Sequence, residues 1–327
     1  MLHPTLTNAM SAQRLALSLV FAAALVAGLV APPARAEGQL LQVGPGRTLT
    51  RPSQAAAVAQ DGATVEIDAA DYAGDVAVWR QNRLTLRGIG GRARLRAEGR
   101  AAEGKAIWVI TGTDVTVENV ELSGTRVRGH NGAGIRAEGT GLTVRNCRLH
   151  HNEMGILTNN NPASRVLIED SELDHNRTDT AHNGRLGHNI YIGRIAGFVL
   201  RRSYVHDAHI GHLVKSRAKD NRLYDNRLLD PQGDSSFLID LSEGGRAVIR
   251  DNELHQGARS QNRTAIAFAA EANREAAGQS LQVIDNDFTS DGPSGTFVRN
   301  FSVAPAQLTG NRLQGNVRPL VGKGDVR

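Results

Sequence analysis

The segment Leu142-Thr-Val-Arg-Asn-Cys-Arg-Leu149 carries the pattern that decides the fold. An alternating apolar triplet leads to Asn or Asp, which is followed by a small or polar residue and a final apolar residue. The alternation places successive side chains on opposite faces of a strand, so that one face is apolar. The final apolar residues of the copies lie 23 to 34 residues apart, which indicates one structural repeat with loops of varying length. The other seven copies begin at Val115, Val166, Phe198, Asn221, Ala247, Leu281 and Ala306.

A second apolar run follows most copies, as in Gly134-Ile-Arg-Ala-Glu138 and Leu238-Ile-Asp-Leu-Ser242. Short strands cannot bury an apolar face alone, whereas stacking like strands on like strands does bury it. Asn and Asp at the bend between runs tolerate left-handed backbone geometry. The pattern therefore predicts an all-β solenoid of parallel strands. It lacks the L-x-x-L-x-L spacing of a leucine-rich repeat and the roughly 40-residue period of a β-propeller.

The repeat, together with the opening segment from Val43 to Ile67, resembles exported bacterial right-handed parallel β-helix proteins of the pectate-lyase-like superfamily. The resemblance covers roughly residues 40–315. It implies a right-handed parallel β-helix with a short N-terminal capping helix. It does not select an activity, because the superfamily includes lyases, hydrolases, C5-epimerases, phage tailspikes and adhesins.

The N-terminal 36 residues are typical of a secretory signal peptide. Arg14 precedes the apolar stretch Leu15–Val30, and Ala34-Arg35-Ala36 offers a cleavage site. We therefore expect a periplasmic or secreted protein that has no membrane association after cleavage. Residues 37–327 are predicted to form one β-helix domain, with a cap at about 40–62 and coils at about 63–315.

The amino-acid composition limits the classes of molecule that the protein is expected to bind. Cys147 is the single cysteine, so an intrachain disulfide is excluded. The chain carries a formal net charge of +5, almost all of its positive charge comes from arginine, and aromatic residues make up 4%. Guanidinium groups match carboxylates bidentately, which favours acidic polysaccharide as the partner. Nucleic acid is not expected, because no basic run alternates with aromatic residues. We expect a monomer.

Two strand-like runs of the same design begin with Gly-His pairs, at His188 and at His212. Aligning them sets Tyr191 and Lys215 on the outer face of adjacent coils, and the next coil adds Asp240. Coils stack at about 4.8 Å, so these three side chains would form a column. His188, His212 and Arg217 lie at its margins, and further charged candidates for substrate binding are Arg194, Glu243 and Arg246.

The segment from Lys215 to Asn226, KSRAKDNRLYDN, resembles the Lys-Ser-x-x-x-x-Asn stretch of family 6 polysaccharide lyases. The resemblance implies that Lys215 abstracts the C5 proton of a uronate and that Arg217 or Arg246 protonates the leaving oxygen. His212 and Tyr191 complete the predicted catalytic set. Those lyases commonly carry acidic calcium ligands upstream of the lysine, where this chain has Ala208, His209 and Ile210. No cofactor is therefore predicted, and calcium stays an alternative that these residues do not support.

Alternatives to a lyase or epimerase stay open. A lysine base must lose its proton near neutral pH, and a tight ion pair between Lys215 and Asp240 would keep it protonated. The same pair is then a Lys–Asp ladder across two coils of a non-catalytic carbohydrate-binding or surface-interaction protein. For a hydrolase, Asp240 with Glu243 is the nearest carboxylate pair.

Nine of the eleven histidines lie between residues 130 and 212. Several precede Asn or Asp, so His130, His150, His151 and His175 are predicted to be turn residues copied with the repeat. The alternative is metal binding by a second set, but these residues lack the spacing of known zinc motifs, and no metal ligands are predicted. The second set is His182, His188, His206, His209 and His212.

Overall fold

The computed structural model describes residues 38–178, 186–272 and 277–327, which form three parallel β-sheets around a large apolar core. Sheet A contains Leu40–Val43, Thr64–Asp68, Thr85–Ile89, Val115–Glu118, Leu142–Arg145, Arg165–Glu169, Gly197–Arg201, Asp220–Tyr224, Arg246–Arg250, Ser280–Ile284, Ala306–Thr309 and Gly324–Val326. Sheet B contains Asp71–Ala73, Ala93–Arg96, Val120–Ser123, Arg148–His150, Glu172–Asp174, Tyr204–His206, Arg227–Asp230, Glu253–Gln256, Asp287–Ser290 and Arg312–Gln314. Sheet C contains Ala77–Trp79, Ala106–Ile110, Ala133–Ala137, Met154–Thr158, His188–Ile192, Val214–Ser216, Ile239–Leu241, Thr264–Phe268, Gly295–Asn300 and Val317–Val321.

Each strand pairs in parallel with the equivalent strand of the next coil. Leu142, for example, lies between Val115 and Val166 in sheet A. Its side chain and that of Val144 are buried in the core, whereas Thr143 between them is partly exposed. The alternation therefore places the apolar side chains in the core and the polar ones between them toward the surface, as predicted. The predicted fold class, a right-handed parallel β-helix, is confirmed.

The turn from sheet A to sheet B explains the Asn or Asp of the repeat. Asn146, Asp170, Asp225 and Asp251 have φ between +48° and +56° there, a backbone region that these residue types tolerate better than most. The next residue in each turn is buried and joins a hydrogen-bonded ladder between coils, in which each backbone N–H donates to the side chain of the following coil. The ladder runs through Cys147, Ser171, Ser203, Asn226, Asn252, Asn286 and Asn311.

Cys147 is fully buried in this ladder, and burial raises the pKa of its thiol to about 12. A thiol in such surroundings is unreactive. The lone cysteine is therefore a small residue of the turn.

The helix Pro52–Val58 lies within the predicted cap and packs against the strands Leu40–Val43 and Ala77–Trp79. At the other end, the strands Val317–Val321 and Gly324–Val326 continue sheets C and A beyond residue 315. The stack of coils therefore continues past residue 315, where the sequence analysis placed its end. Among the described residues, no helix has the length and apolarity needed to cross a membrane. The predicted signal peptide lies outside the described residues.

Candidate functional site

Three adjacent strands of sheet C carry the column that the sequence predicts. Tyr191 is the register partner of Lys215, and Lys215 is the register partner of Asp240. The residues on either side of Lys215, Val214 and Ser216, are fully buried. The column continues to Ala267, where a small side chain ends the series of long polar ones.

Lys215 is buried rather than exposed, with 9% of its surface accessible. Its Nζ donates to Asp240 Oδ2 at 2.9 Å and to Glu271 Oε1 at 2.8 Å. Burial lowers the pKa of Lys215, but the two carboxylates outweigh burial and raise the pKa above its ordinary value. The tight ion pair favours the protonated ammonium and therefore disfavours the predicted role of Lys215 as the general base.

Arg217 directly follows the strand that carries Lys215, and it contacts three side chains. It donates from Nε to the Tyr191 hydroxyl at 3.1 Å and from Nη1 to Glu243 Oε1 at 2.8 Å. Its Nη2 lies 2.6 Å from Glu271 Oε2. Burial opposes the charged form, but the hydrogen bonds to Glu243 and Tyr191 raise the pKa of Arg217 further. Arg217 is therefore a fixed cation and not a proton donor.

Glu271 is the central residue that sequence reasoning missed. One of its carboxylate oxygens lies on Lys215 and the other on Arg217, so this carboxylate bridges the two cations. Burial raises the pKa of Glu271, but Lys215 and Arg217 outweigh it and hold the pKa below its ordinary value. Glu271 lies in the loop after the strand Thr264–Phe268 and has no counterpart in the repeat. The small Ala267 beside Asp240 is the one sequence signal that a loop residue could cover this position.

The two Gly-His histidines stack on each other beside the column, with ring centroids 4.9 Å apart. His212 Nδ1 accepts a hydrogen bond from the Phe237 N–H at 3.2 Å, so its proton is on Nε2, which lies 3.4 Å from Asp240 Oδ2. Burial, with the charge of Lys215, lowers the pKa of His212 to about 3. Burial also lowers the pKa of His188 well below its ordinary value. Both histidines are therefore neutral.

Arg194 joins the cluster through Glu243, with 2.9 Å between Nε and Oε2. Arg246 does not join it, because its Nη2 donates to Asp220 Oδ2 at 3.0 Å. Arg217, Glu243 and Arg246 nevertheless line one open groove of about 510 Å³. Arg246 is thus the predicted site residue that does not contact the others, although it faces the same groove. We call Tyr191, Arg194, Lys215, Arg217, Asp240, Glu243 and Glu271 the charged cluster.

The remaining histidines lie elsewhere. His130, His151 and His175 have φ of +52°, +53° and +51°, as turn residues should, but His150 lies in a sheet B strand, so its predicted turn position is wrong. The alternative metal-binding set is divided. His188 and His212 lie beside the charged cluster, His206 is in sheet B, and His209 pairs with Asp234 at 2.8 Å. His182 lies outside the described residues.

A second groove, of about 890 Å³, opens along the turns from sheet B toward sheet C. Its lining includes Arg126, Arg177 and Arg259 together with His151, His175 and Asp207. None of the residues of the charged cluster lines it. The second groove and the charged cluster are thus separate polar surfaces.

No protein-family model matches the sequence, and no curated protein matches it significantly. Among solved structures, the chain is similar to pectate lyase Pel9A, with a TM-score of 0.54 and 14% identity over 88% of this chain and 78% of that one. It is also similar to an alginate lyase from Paenibacillus sp. str. FPU-7, with a TM-score of 0.50 and 14% identity over 82% of this chain and 96% of that one. With these two enzymes the chain shares the right-handed parallel β-helix fold.

Proposed function

We propose that this protein acts on an acidic polysaccharide and that Lys215 and Arg217 together bind the carboxylate of a uronate unit. The observation that carries the proposal is the position of Glu271. Its carboxylate lies between the two cations, with 2.8 Å to Lys215 Nζ and 2.6 Å to Arg217 Nη2. A uronate carboxylate has the same charge and geometry, so it could replace Glu271 at this position.

Lys215 and Arg217, which we call the uronate clamp, would promote a reaction at the carbon next to the bound carboxylate. The C5 proton of a uronate becomes removable when the carboxylate is neutralised, and fixed cations achieve this by stabilising the charge that develops on it. Lys215 and Arg217 are such cations, because both are held by buried or partly buried carboxylates. The fold shared with a pectate lyase and an alginate lyase is consistent with this class of substrate.

Tyr191 is the proton-transfer residue in this proposal, since its hydroxyl contacts Arg217 and lies in the same column as Lys215. In its deprotonated form it takes the C5 proton, the C–H electron pair forms the C4–C5 double bond, and the bond from C4 to the leaving oxygen breaks. The Tyr191 hydroxyl then gives this proton to that oxygen, which regenerates the deprotonated tyrosine, so protons balance. In C5 epimerisation a proton instead returns to the opposite face of C5.

The test is to incubate the protein with alginate, polygalacturonate and glycosaminoglycans and to follow the ultraviolet absorbance of unsaturated uronate, with NMR to detect epimerisation. We expect turnover of at least one polymer, and a loss of about 100-fold or more in Tyr191→Phe. Tyr224→Phe is the matched control, because Tyr224 also lies beside an arginine, Arg250, but in sheet A. Absence of both products with every polymer would contradict the catalytic proposal.

A second candidate function is binding of acidic polysaccharide without catalysis. It is favoured by the charge balance of the charged cluster, in which three cations and three carboxylates pair with one another. Such closed pairing stabilises a surface but leaves no group poised to accept a proton. Binding of a polymer without turnover, lost in Arg217→Gln, would assign this function instead.

A further inference from the structure

Three consecutive coils of sheet B each end in a pair of metal-ligand side chains. His150, Asp174 and His206 are register partners in adjacent strands. The residue after each of them, in a left-handed turn, is His151, His175 or Asp207. The His151 and His175 rings stack with 5.0 Å between centroids and 1° between planes. The repeat thus stacks six potential ligands on one face, away from the charged cluster.

Within this stack, His150, His151 and Asp174 converge most closely. Their ligand atoms all lie within 4.8 Å of one another, and the two Nδ1 atoms of the histidines are 2.8 Å apart. At that distance one of the two ring nitrogens carries a proton and donates it to the lone pair of the other. In a tetrahedral zinc site with bonds of about 2.0–2.1 Å, neighbouring nitrogens lie only slightly further apart. A small rotation of either ring would therefore accommodate a metal ion.

The surroundings of His150 resemble those of a metal-bound histidine. Its Nε2 lies 3.1 Å from Glu121 Oε1, so a proton on Nε2 is held by a carboxylate and Nδ1 keeps its lone pair. Ligating histidines usually have such a carboxylate partner, which orients the ring and strengthens the ligand. Asp174 is fully buried and is oriented by Arg148, with 3.0 Å between Nε and Oδ2.

The carboxylates that contact these histidines outnumber the guanidinium that pairs with them. Three carboxylates, those of Glu121, Asp174 and Glu172, contact His150, His175 and His206, and Arg148 is the guanidinium that pairs with two of these carboxylates. Arg126 also approaches, but it donates to the backbone oxygen of His151. His151 lines the second groove, so the convergent site is open on one side to that groove.

We propose that His150, His151 and Asp174 bind a divalent transition-metal ion of the zinc class, with a free coordination position toward the second groove. Two imidazoles favour zinc, nickel or copper over calcium, which takes oxygen ligands. The open position is typical of zinc sites that bind a water molecule or a ligand. This site is independent of the charged cluster and of the activity proposed for it.

The test is isothermal titration calorimetry of the chelator-treated full chain with Zn²⁺. We expect one tightly bound ion per chain and no comparable binding of Ca²⁺. His150→Ser and His151→Asn should lose the site without loss of fold, since Ser123 occupies the same column one coil earlier and Asn146 has the same left-handed turn geometry as His151. Glu121→Gln should weaken binding by about 10- to 100-fold.

His255→Ala is the matched control, because His255 lies in the same sheet and pairs with Asp291 at 2.9 Å outside the site. It should bind Zn²⁺ as the unmodified chain does. Undetectable zinc binding by the unmodified chain, or binding retained in both His150→Ser and His151→Asn, would overturn the proposal.

Discussion

The ammonium group of Lys215 holds together two carboxylates that would otherwise repel each other. Asp240 is buried, with 4% of its side chain exposed, so removal of Lys215 leaves it without a counter-ion. We expect Lys215→Met to lower the free energy of unfolding by about 3 kcal/mol or more, because an uncompensated buried charge is costly. The double variant Lys215→Met/Asp240→Leu should recover most of the loss. Urea denaturation measures both.

Lys105 provides the matched control for this prediction. It too lies between two glutamates, Glu103 and Glu138, each at 3.0 Å, but its side chain is 38% exposed. Because solvent screens such pairs, Lys105→Met should cost less than about 1 kcal/mol. Equal effects of the two lysine substitutions would show that the Lys215 pair is only a surface pair.

Asp230 is a second buried carboxyl group, and it gives a pH-dependent stability. Ser235 donates its N–H and its hydroxyl to one carboxylate oxygen, at 2.9 and 2.6 Å, while the other oxygen has no hydrogen-bond partner among the described residues. Burial raises the pKa of Asp230 to about 7. The folded protein therefore keeps a proton that the unfolded chain releases above pH about 4.

The contribution of Asp230 to stability is thus fully present below pH about 4 and is lost as pH rises to about 7. Asn has the shape of the protonated acid and does not ionise, so Asp230→Asn should be more stable than the unmodified chain at pH 8 by a few kcal/mol. The advantage should vanish near pH 4. Thermal unfolding across this pH range tests it, and a difference that does not change with pH would contradict the assigned pKa.

At the scale of the element, the buried ladder of turn residues joins the coils. Asn252 accepts hydrogen bonds from the backbone N–H and the side chain of Asn226, and its own amide donates to the Leu223 carbonyl. Asn252→Ala leaves these groups buried and unpaired, so we expect a loss of about 3 kcal/mol in unfolding free energy. Asn252→Ser should lose less, because Ser171 and Ser203 hold equivalent positions. Urea denaturation that ranks Ser below Ala would contradict this role.

Strand pairing could be predicted from the sequence, whereas loop contacts and ring orientations could not. Strand positions and the neighbours Tyr191, Lys215 and Asp240 followed from the alternation, because parallel stacking converts sequence equivalence into spatial proximity. Glu271 could not be predicted, since it belongs to a loop that the repeat does not constrain. Without Glu271, the protonation of Lys215 could not be settled either. The contact between His150 and His151 depends on ring orientation, which the repeat pattern does not encode.

At the scale of the whole molecule, one stack of coils carries two polar sites on different faces. The charged cluster rests on sheet C, and the histidine stack rests on sheet B. Both arise where adjacent coils, whose backbone arrangement repeats, carry different polar residues at equivalent positions. The β-helix itself supplies the spacing, so the residues in a few coils determine which polar groups each face presents.

The most direct test of the uronate clamp is the affinity of Glu271→Gln for oligogalacturonate and oligoalginate, measured by isothermal titration calorimetry. Because the substitution removes the competing carboxylate, at least one oligomer should bind about tenfold more tightly than it binds the unmodified chain. Glu253→Gln, which removes an exposed carboxylate paired with Arg227, should not change the affinity. Unchanged or weaker binding of every oligomer to Glu271→Gln would contradict the clamp between Lys215 and Arg217.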